Sequence, residues 1–402
     1  MQLSKSQKMN NLYLKSILLI LGIFIISTLT NAQIDNYKSH QKKDDGWLIK
    51  TKKGIKVKIR PYGNYMIRFQ YAKSGKSFLP DDHYDIIVDH TMDGKLLLQN
   101  KKDKLIIETE SKNGIRVEAQ KKPLRFSFFD KKNHKPFISE KEGVTWENSI
   151  IKNDFHPDSD EHILGFGQKP LGYQEQIDLK GVRTSRNYGE KGIPGRGAQG
   201  NLLVPFFMSS TGYGLYMNST FPNEFSFSHE DKFYISFDTK NAHGQMDFVF
   251  IKGPGFDKLL NRYTQLTGRP RLIPKSMFGL QLSDNDPRID NEPIDHQWWE
   301  TMISKHRRAG FPLDHAVFDN DWRPGVTPDK DGQWGGSKFE YNLKRYPNPP
   351  QFKSFLDKHG ITLTLDLNMN NCNDSWGWEK KYNMPVTSCK DSNSDSYPDY
   401  TR

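Results

Sequence analysis

Residues 317–322 read Val-Phe-Asp-Asn-Asp-Trp, an apolar run that ends abruptly in two carboxylates and an indole. An apolar run needs burial, and an acidic end is typical of a barrel strand that opens into a polar pocket. Asp319 and Asp321 can accept hydrogen bonds from hydroxyl groups, while Trp322 can present a flat apolar face to a sugar ring. By itself the hexapeptide fits a strand and an Asp-capped turn better, so the surrounding sequence decides its meaning.

The hexapeptide belongs to an alternation of strands and helices that begins near residue 255. Apolar residues at helical spacing predict a helix from Phe256 to the stop signal Gly268-Arg269-Pro270. The pattern then predicts strand 277–282, helix 298–308, strand 315–319, helix 350–358 and strand 361–367. Strands spaced roughly 35–45 residues apart with helices between them are typical of parallel βαβ units.

Three such strands indicate an incomplete barrel, because a closed parallel barrel of this type needs eight strands. The last residues, 392–402, carry no helix cap or docking strand in their sequence pattern. An unfinished sheet would expose large apolar side chains and would be prone to aggregate. The side chains concerned are Phe278, Leu280, Val317, Phe318, Leu363 and Leu365.

Residues from about 46 to 250 show a different pattern, in which apolar and polar residues alternate. Ile55, Val57 and Ile59, for example, are separated by Lys56 and Lys58. Strands with one apolar face must bury that face against a second sheet. The pattern therefore predicts a β-sandwich of roughly 200 residues before the parallel units.

The N-terminus has the three regions of a secretory signal peptide. Three lysines precede an uncharged apolar run over residues 17–26, and Thr30-Asn31-Ala32 follows it. We predict cleavage after Ala32 and a soluble periplasmic or extracellular product, because the run is short for a bilayer span and no lipid-carrying Cys follows. An uncleaved N-terminal anchor is the alternative.

Composition argues against several classes of partner. The chain has 58 basic and 48 acidic residues, a formal net charge of +10. The lysines are scattered through strand patterns, which favours a solvated surface over a nucleic-acid groove, and no nucleic-acid motif is present. Export would allow a disulfide between Cys372 and Cys389, which the sequence leaves open.

No motif indicates a metal or a cofactor. Asp284 and Asp286 flank Asn285 without the Gly-centred loop and terminal Glu of a calcium site, so they predict a turn. The Gly-Phe-Gly of residues 165–167 lacks the Gly-Lys-Ser/Thr ending of a phosphate loop. The two cysteines have no His spacing around them that would suit zinc.

Several different short motifs follow one another along residues 160–402. They are Leu164-Gly165-Phe166-Gly167, Val204-Pro205-Phe206-Phe207, Gly212-Tyr213-Gly214-Leu215-Tyr216, residues 263–270, Ile273-Pro274-Lys275, Gly279-Leu280-Gln281, residues 311–314, residues 339–342, residues 346–349 and His359-Gly360-Ile361. These motifs and their order resemble those of glycoside hydrolase family 31. After the signal peptide predicted at 1–32, the resemblance implies a galactose-mutarotase-like N-terminal β-sandwich at 33–270 and an incomplete (β/α)8 TIM barrel of about three βα units at 271–402.

The resemblance also implies retaining hydrolysis of α-glucosides, α-xylosides or α-galactosides by an Asp nucleophile and an Asp acid/base. The family places the nucleophile on the fourth barrel strand, and Pro398-Asp399-Tyr400 resembles the segment before that strand. We therefore expect both catalytic carboxylates beyond Arg402 and no turnover by residues 1–402 alone. The alternative is a non-catalytic carbohydrate-binding or degenerate remnant.

Substrate-binding positions carry over by the same resemblance. Asp319 matches the second-strand aspartate that binds sugar hydroxyls, and Asn320 matches the adjacent pocket residue. Asp321 either joins them or caps the following turn. Met369 falls where the family has an apolar pocket residue after the third strand.

Three positions depart from the family's pattern. Asn285 stands at a first-strand position that is often aromatic, and Asn187 stands where a sandwich loop commonly contributes an aspartate. Gln168 replaces a frequent Glu. The expected partner is an oligosaccharide or glycoside, with the sugar and the oligomeric state left open.

Overall fold

The computed structural model describes residues 32–44, 46–88, 93–147, 150–156, 160–168, 178–180, 185–187, 202–219, 223–228, 232–238, 244–284, 294–318, 322 and 341–365. The chain divides into two compact units between Arg269 and Pro270. Among these residues, no helix is both long enough and apolar enough to cross a bilayer.

The first unit consists of antiparallel strands. They are β1 (Ala32–Gln33), β2 (Tyr37–Lys43), β3 (Gly46–Thr51), β4 (Lys56–Tyr62), β5 (Met66–Ala72), β6 (Leu96–Asn100), β7 (Lys104–Thr109), β8 (Ile115–Lys121), β9 (Leu124–Asp130), β10 (Ile138–Glu140), β11 (Thr145–Glu147), β12 (Ile150–His156), β13 (Ile163–Gln168), β14 (Ser185–Asn187), β15 (Leu202–Ser209), β16 (Tyr213–Met217), β17 (Asn223–Ser228), β18 (Lys232–Asp238) and β19 (Gln245–Lys252).

These strands form two sheets. The larger sheet has the order β14-β17-β18-β12-β10-β9-β8-β7-β6, with β11 paired to β12 and β1 paired to β11. The smaller sheet has the order β13-β15-β16-β19-β5-β4-β3-β2. We call them the eleven-stranded and the eight-stranded sheet. Consecutive strands are mostly neighbours, which short hairpin connections allow.

The inner faces of both sheets share one aromatic core. Phe69 and Phe248 of the eight-stranded sheet stack with 5.5 Å between ring centroids. Phe128 of the eleven-stranded sheet lies 4.6 Å from Phe250 of the other, again stacked. All four rings are fully buried. The predicted β-sandwich is therefore confirmed, and its core comes from the residues whose alternation predicted the strands.

A helix closes the first unit. Helix α1 (Phe256–Thr267) ends at Gly268, whose φ of 90° suits a glycine, as the sequence predicts. Leu259 and Leu266 are buried against a second apolar cluster that includes Val249 and Ile251 of β19. The helix thus covers part of the outer face of the eight-stranded sheet.

The second unit consists of parallel strands with helices between them. After a 3-10 turn (Lys275–Phe278) come β20 (Leu280–Asp284), α2 (His296–Arg308), β21 (Leu313–Phe318), α3 (Pro349–Lys358) and β22 (Thr362–Leu365). The sheet order is β20-β21-β22, and both pairings are parallel. The predicted βαβ arrangement is confirmed. The first strand begins three residues later than predicted, because residues 275–278 form the 3-10 turn.

Side-chain caps define where these helices start. Asp295 accepts a hydrogen bond from the Trp298 backbone N–H at 2.9 Å, at the N-terminus of α2. Asn348 accepts one from the Gln351 N–H at 3.1 Å, at the N-terminus of α3, with Pro349 in the first turn. Both caps satisfy donors that a helix leaves unpaired at its start.

The helices cover one face of the parallel sheet. Phe318 is only 1% exposed and packs in a cluster with Trp299 of α2 and Phe352 of α3. The expectation that an unfinished sheet would expose Phe318 is therefore wrong, because two helices already bury that face. Phe278 and Leu280 are 75% and 42% exposed, as expected.

Candidate functional site

The three parallel strands end together at one edge. Asp284 pairs in register with Phe318, and Phe318 pairs with Leu365. The residues that follow Asp284, Phe318 and Leu365 in the sequence are Asn285, Asp319 and Asp366, respectively. Parallel βα folds bind their ligands at the carboxyl ends of the strands, so this edge is the candidate site.

Most predicted site residues lie outside the described part of the chain. These are Asn285, Asp319, Asn320, Asp321 and Met369, along with Cys372 and Cys389. Their roles stay predictions. Asn187 is the last residue of β14, where its backbone pairs with that of Asn223 on β17. Gln168 ends β13. Neither side chain is described, so their proposed roles in the pocket also stay predictions.

The residues on either side of positions 319–321 are both buried. Phe318 precedes the tripeptide, and Trp322 follows it with 2% exposure. The Trp322 ring lies 5.5 Å from the Tyr341 ring, edge to face, and the Trp322 carbonyl accepts the Asn342 N–H at 2.8 Å. The expectation that Trp322 offers a face to a sugar ring is therefore wrong, because the indole packs in the core of the unit.

An aromatic layer supports the end of β21. Phe318 stacks on Trp299 at 4.5 Å, on Tyr346 at 5.3 Å and on Phe352 at 5.5 Å between ring centroids. Aromatic contacts of this kind bury large areas and restrict rotamers. These contacts hold Phe318, the residue before Asp319, against helices α2 and α3.

The opposite face of the sheet is polar. Ala316 and Phe318 pack toward the helices, so by the alternation of a strand His315 and Val317 point the other way. In register beside them lie Gln281, Ser283, Thr362 and Thr364. The interior of a parallel barrel usually carries bulky branched residues. This face instead presents hydrogen-bonding groups, five of the six residues being polar.

His315 is the buried member of this polar face. It is 0% exposed, and its Nε2 lies 2.5 Å from Thr364 Oγ1 on the neighbouring strand. Its Nδ1 has no hydrogen-bond partner among the described residues. Burial lowers the pKa of His315 below its ordinary value, which favours the neutral imidazole. His315 is not among the site residues predicted from the sequence, although a His within an apolar strand is a detectable signal.

The described residues show no metal centre. Within the ranges that the structure covers, no three His, Cys, Asp or Glu side chains are grouped so that they could hold an ion. Asp284 is described only by its backbone, and Asp286 lies outside the described residues. The turn predicted around Asn285 therefore stays a prediction.

The fold places the chain in the class of proteins that join an antiparallel β-sandwich to parallel βα units. A model of the glycosyl hydrolase 31 N-terminal galactose mutarotase-like domain matches residues 56–225. A model of the glycosyl hydrolases family 31 TIM-barrel domain matches residues 270–401. Together the two matches span about three quarters of the sequence. The chain belongs to glycosyl hydrolase family 31.

Individual relatives agree with the family match. The chain is 26% identical over 209 residues to an α-xylosidase of Lactiplantibacillus pentosus, covering 52% of this chain and 25% of that protein. It is 24% identical over 190 residues to an isomaltosyltransferase of Sporosarcina globispora, covering 43% of this chain and 17% of that protein. The chain thus spans about a quarter or less of these two relatives.

A solved structure shows the same fold. A family 31 dextranase of Flavobacterium johnsoniae, complexed with isomaltotriose, superposes with a TM-score of 0.72 at 19% identity. The match covers 88% of this chain and 41% of the dextranase. The β-sandwich followed by part of a TIM barrel, as predicted, is confirmed at the level of the fold.

Proposed function

We propose that this chain is the N-terminal part of an exported α-glycosidase, which hydrolyses α-glucosides, α-xylosides or α-galactosides with retention of configuration. The observation that carries the proposal is the common register of β20, β21 and β22. It brings the strand ends before Asn285, Asp319 and Asp366 to one edge of the sheet. Polar side chains that follow parallel strands at one edge are suited to bind a polyhydroxylated ligand.

In this proposal, residues 1–402 provide one wall of the substrate pocket. Asp319 would accept hydrogen bonds from sugar hydroxyls, with Asn320 and Asp321 beside it. Met369 would add an apolar contact. The two catalytic carboxyl groups would come from outside residues 1–402, about 5–5.5 Å apart, so that one attacks the anomeric carbon and the other protonates the leaving oxygen.

The names of the relatives support α-linked gluco- or xylo-configured substrates. One relative is an α-xylosidase, and the dextranase was solved with isomaltotriose. Export is supported by the charged, apolar and small-residue regions of residues 1–32. The departures at Asn285, Asn187 and Gln168 leave the choice of sugar open within this group.

The reading frame downstream of the Arg402 codon tests the proposal. We expect an open frame whose product hydrolyses an aryl α-glucoside, α-xyloside or α-galactoside, while residues 1–402 alone show no turnover. An immediate stop codon would contradict the proposed enzyme. Hydrolysis by residues 1–402 would contradict the placement of the catalytic pair.

A further inference from the structure

A polar trough lies on the outer face of the eleven-stranded sheet. It has a volume of about 380 Å³ and crosses β7, β8, β9, β10 and β12. The strand register explains its shape. His156, Ser139, Ser127 and Glu118 occupy one row across four neighbouring strands. The two serines have the shortest side chains of the row, so they form the floor between longer neighbours.

The trough faces solvent and not the core of the sandwich. Phe126, Phe128 and Ile138 are buried in the core, so the alternate residues Ser127 and Ser139 point outward. Both serines are partly exposed, and His156 is exposed. The trough is therefore open to a ligand from solution.

The walls of the trough are held by internal contacts. Arg125 donates to Gln120 Oε1 at 2.9 Å and to the Lys141 carbonyl at 2.6 Å. Lys104 donates to Glu118 Oε2 at 2.7 Å. These contacts restrain the side chains before a ligand binds, which reduces the entropy that binding would cost.

The floor, in contrast, offers unused hydrogen-bonding groups. Among the residues that the structure describes, Ser127, Ser139 and His156 make no side-chain hydrogen bond. Each serine hydroxyl can both donate and accept, and a neutral imidazole can do both through its two nitrogens. A row of such groups matches a ligand whose own groups both donate and accept, which is the property of sugar hydroxyls.

Charge and strand position exclude other classes of ligand. Among the described residues of the lining, Lys104 and Arg125 stand against the three carboxyl groups of Asp103, Glu118 and Glu140, so the trough has no surplus of positive charge for a polyanion. Its central strands, β8, β9 and β10, are paired on both sides, so no strand edge is free for a peptide to extend the sheet.

We propose that this trough binds a neutral oligosaccharide. The inference goes beyond the proposed function, because it concerns the sandwich unit and requires no catalysis. The described residues that line the trough include no Phe, Tyr or Trp, so they offer no stacking platform and the affinity is weak, with a Kd on the order of millimolar.

Isomaltotriose binding to the 402-residue chain tests the proposal by isothermal titration. We expect S127L and S139L, which fill the floor, and H156A, which trims it, each to weaken binding about tenfold or more. S39L is the matched control, because Ser39 is an exposed strand residue of the other sheet, and it should bind as the wild type does. Near-UV circular dichroism checks that each variant is folded. If a leucine variant does not fold, H156A still tests the proposal.

Two comparisons separate the trough from the proposed pocket. S127L should weaken isomaltotriose binding to the same extent in the D319N background as in the wild-type chain, because Ser127 lines the trough and Asp319 belongs to the proposed pocket. Weaker binding in D319N with no change in S127L would overturn the proposal. So would absence of wild-type binding at about 50 mM sugar, a concentration roughly 50 times a Kd of about 1 mM. Tighter binding of dextran sulfate than of isomaltotriose would overturn the assignment to a neutral ligand.

Discussion

His315 Nε2 lies 2.5 Å from Thr364 Oγ1, so a side-chain hydrogen bond joins two adjacent parallel strands on the face opposite the helices. Together with Gln281, Ser283 and Thr362, this pair makes the face polar. The aromatic cluster beneath the helices therefore provides the apolar core of the unit. The other face carries side chains that form hydrogen bonds.

Replacing His315 should change how the stability of the second unit depends on pH. Burial lowers the pKa of His315 below its ordinary value of 6.5. Below that pH the unfolded chain takes up a proton that the folded chain does not, so the free energy of unfolding falls as the pH falls. The slope is at most about 1.4 kcal/mol per pH unit for one group. Urea unfolding at several pH values should show this slope in the wild type and its reduction in H315Q.

T364V is the control for this prediction. T364V removes the hydroxyl group that contacts His315 Nε2 but keeps the buried imidazole. It should therefore lower the free energy of unfolding at all pH values, while the dependence of that free energy on pH persists. An H315Q protein with the same pH slope as the wild type would contradict the assignment.

Breaking the buried ion pair of Arg68 and Asp247 should strongly destabilise the first unit. Arg68 donates through Nε to Oδ1 at 2.9 Å and through a terminal nitrogen to Oδ2 at 2.6 Å. R68M leaves a buried carboxylate without its cation, which should cost about 3–5 kcal/mol in denaturant unfolding. The double variant R68M/D247L should recover part of this loss. A double variant less stable than R68M would contradict this explanation.

Glu140 should act as a hydrogen-bonding centre between the two sheets. It accepts from the Tyr71 hydroxyl at 2.7 Å, from Asn153 Nδ2 at 2.7 Å and from the Phe126 N–H at 2.9 Å. Burial raises the pKa of Glu140, and these hydrogen bonds oppose the rise. E140L leaves three buried donors unpaired and should cost about 3–5 kcal/mol, whereas Y71F should cost about 1–2 kcal/mol. Equal losses in thermal unfolding would argue against this centre.

Trp322 should behave as a core residue. W322A removes a buried indole and should destabilise the second unit by about 3–5 kcal/mol, measured by unfolding in the absence of any sugar. The matched variant F311A changes a ring that is 55% exposed and should stay within about 0.5 kcal/mol of the wild type. If W322A is as stable as the wild type, Trp322 is not a core residue, and the result would support its prediction as a sugar contact.

Much of the fold could be predicted because it depends on local periodicity. Alternation predicted the sandwich strands, and the change to helical spacing near Phe256 located the first helix of the structure. The start predicted for the first parallel strand was wrong, because an apolar stretch such as residues 277–282 does not distinguish a 3-10 turn from an extended chain.

Features that depend on long-range packing could not be predicted. Whether Trp322 faces a pocket or the core depends on Tyr341 and Asn342, which the chain brings back from a later segment. The trough requires the register between β12, β10 and β9, which places His156 beside Ser139 and Ser139 beside Ser127. A one-residue shift would turn these side chains to the other face, and the alternation alone does not specify which strands pair.

The most direct test of the central claim is the kcat/KM of D319N in the full product of the reading frame that contains this chain. The claim is that the strand end at Asp319 binds the sugar while the catalytic carboxylates come from outside residues 1–402. We predict that the wild-type product hydrolyses an aryl α-glycoside and that D319N lowers kcat/KM by about 100-fold, or about 2.7 kcal/mol of transition-state stabilisation. A D319N enzyme with wild-type kcat/KM would contradict the claim.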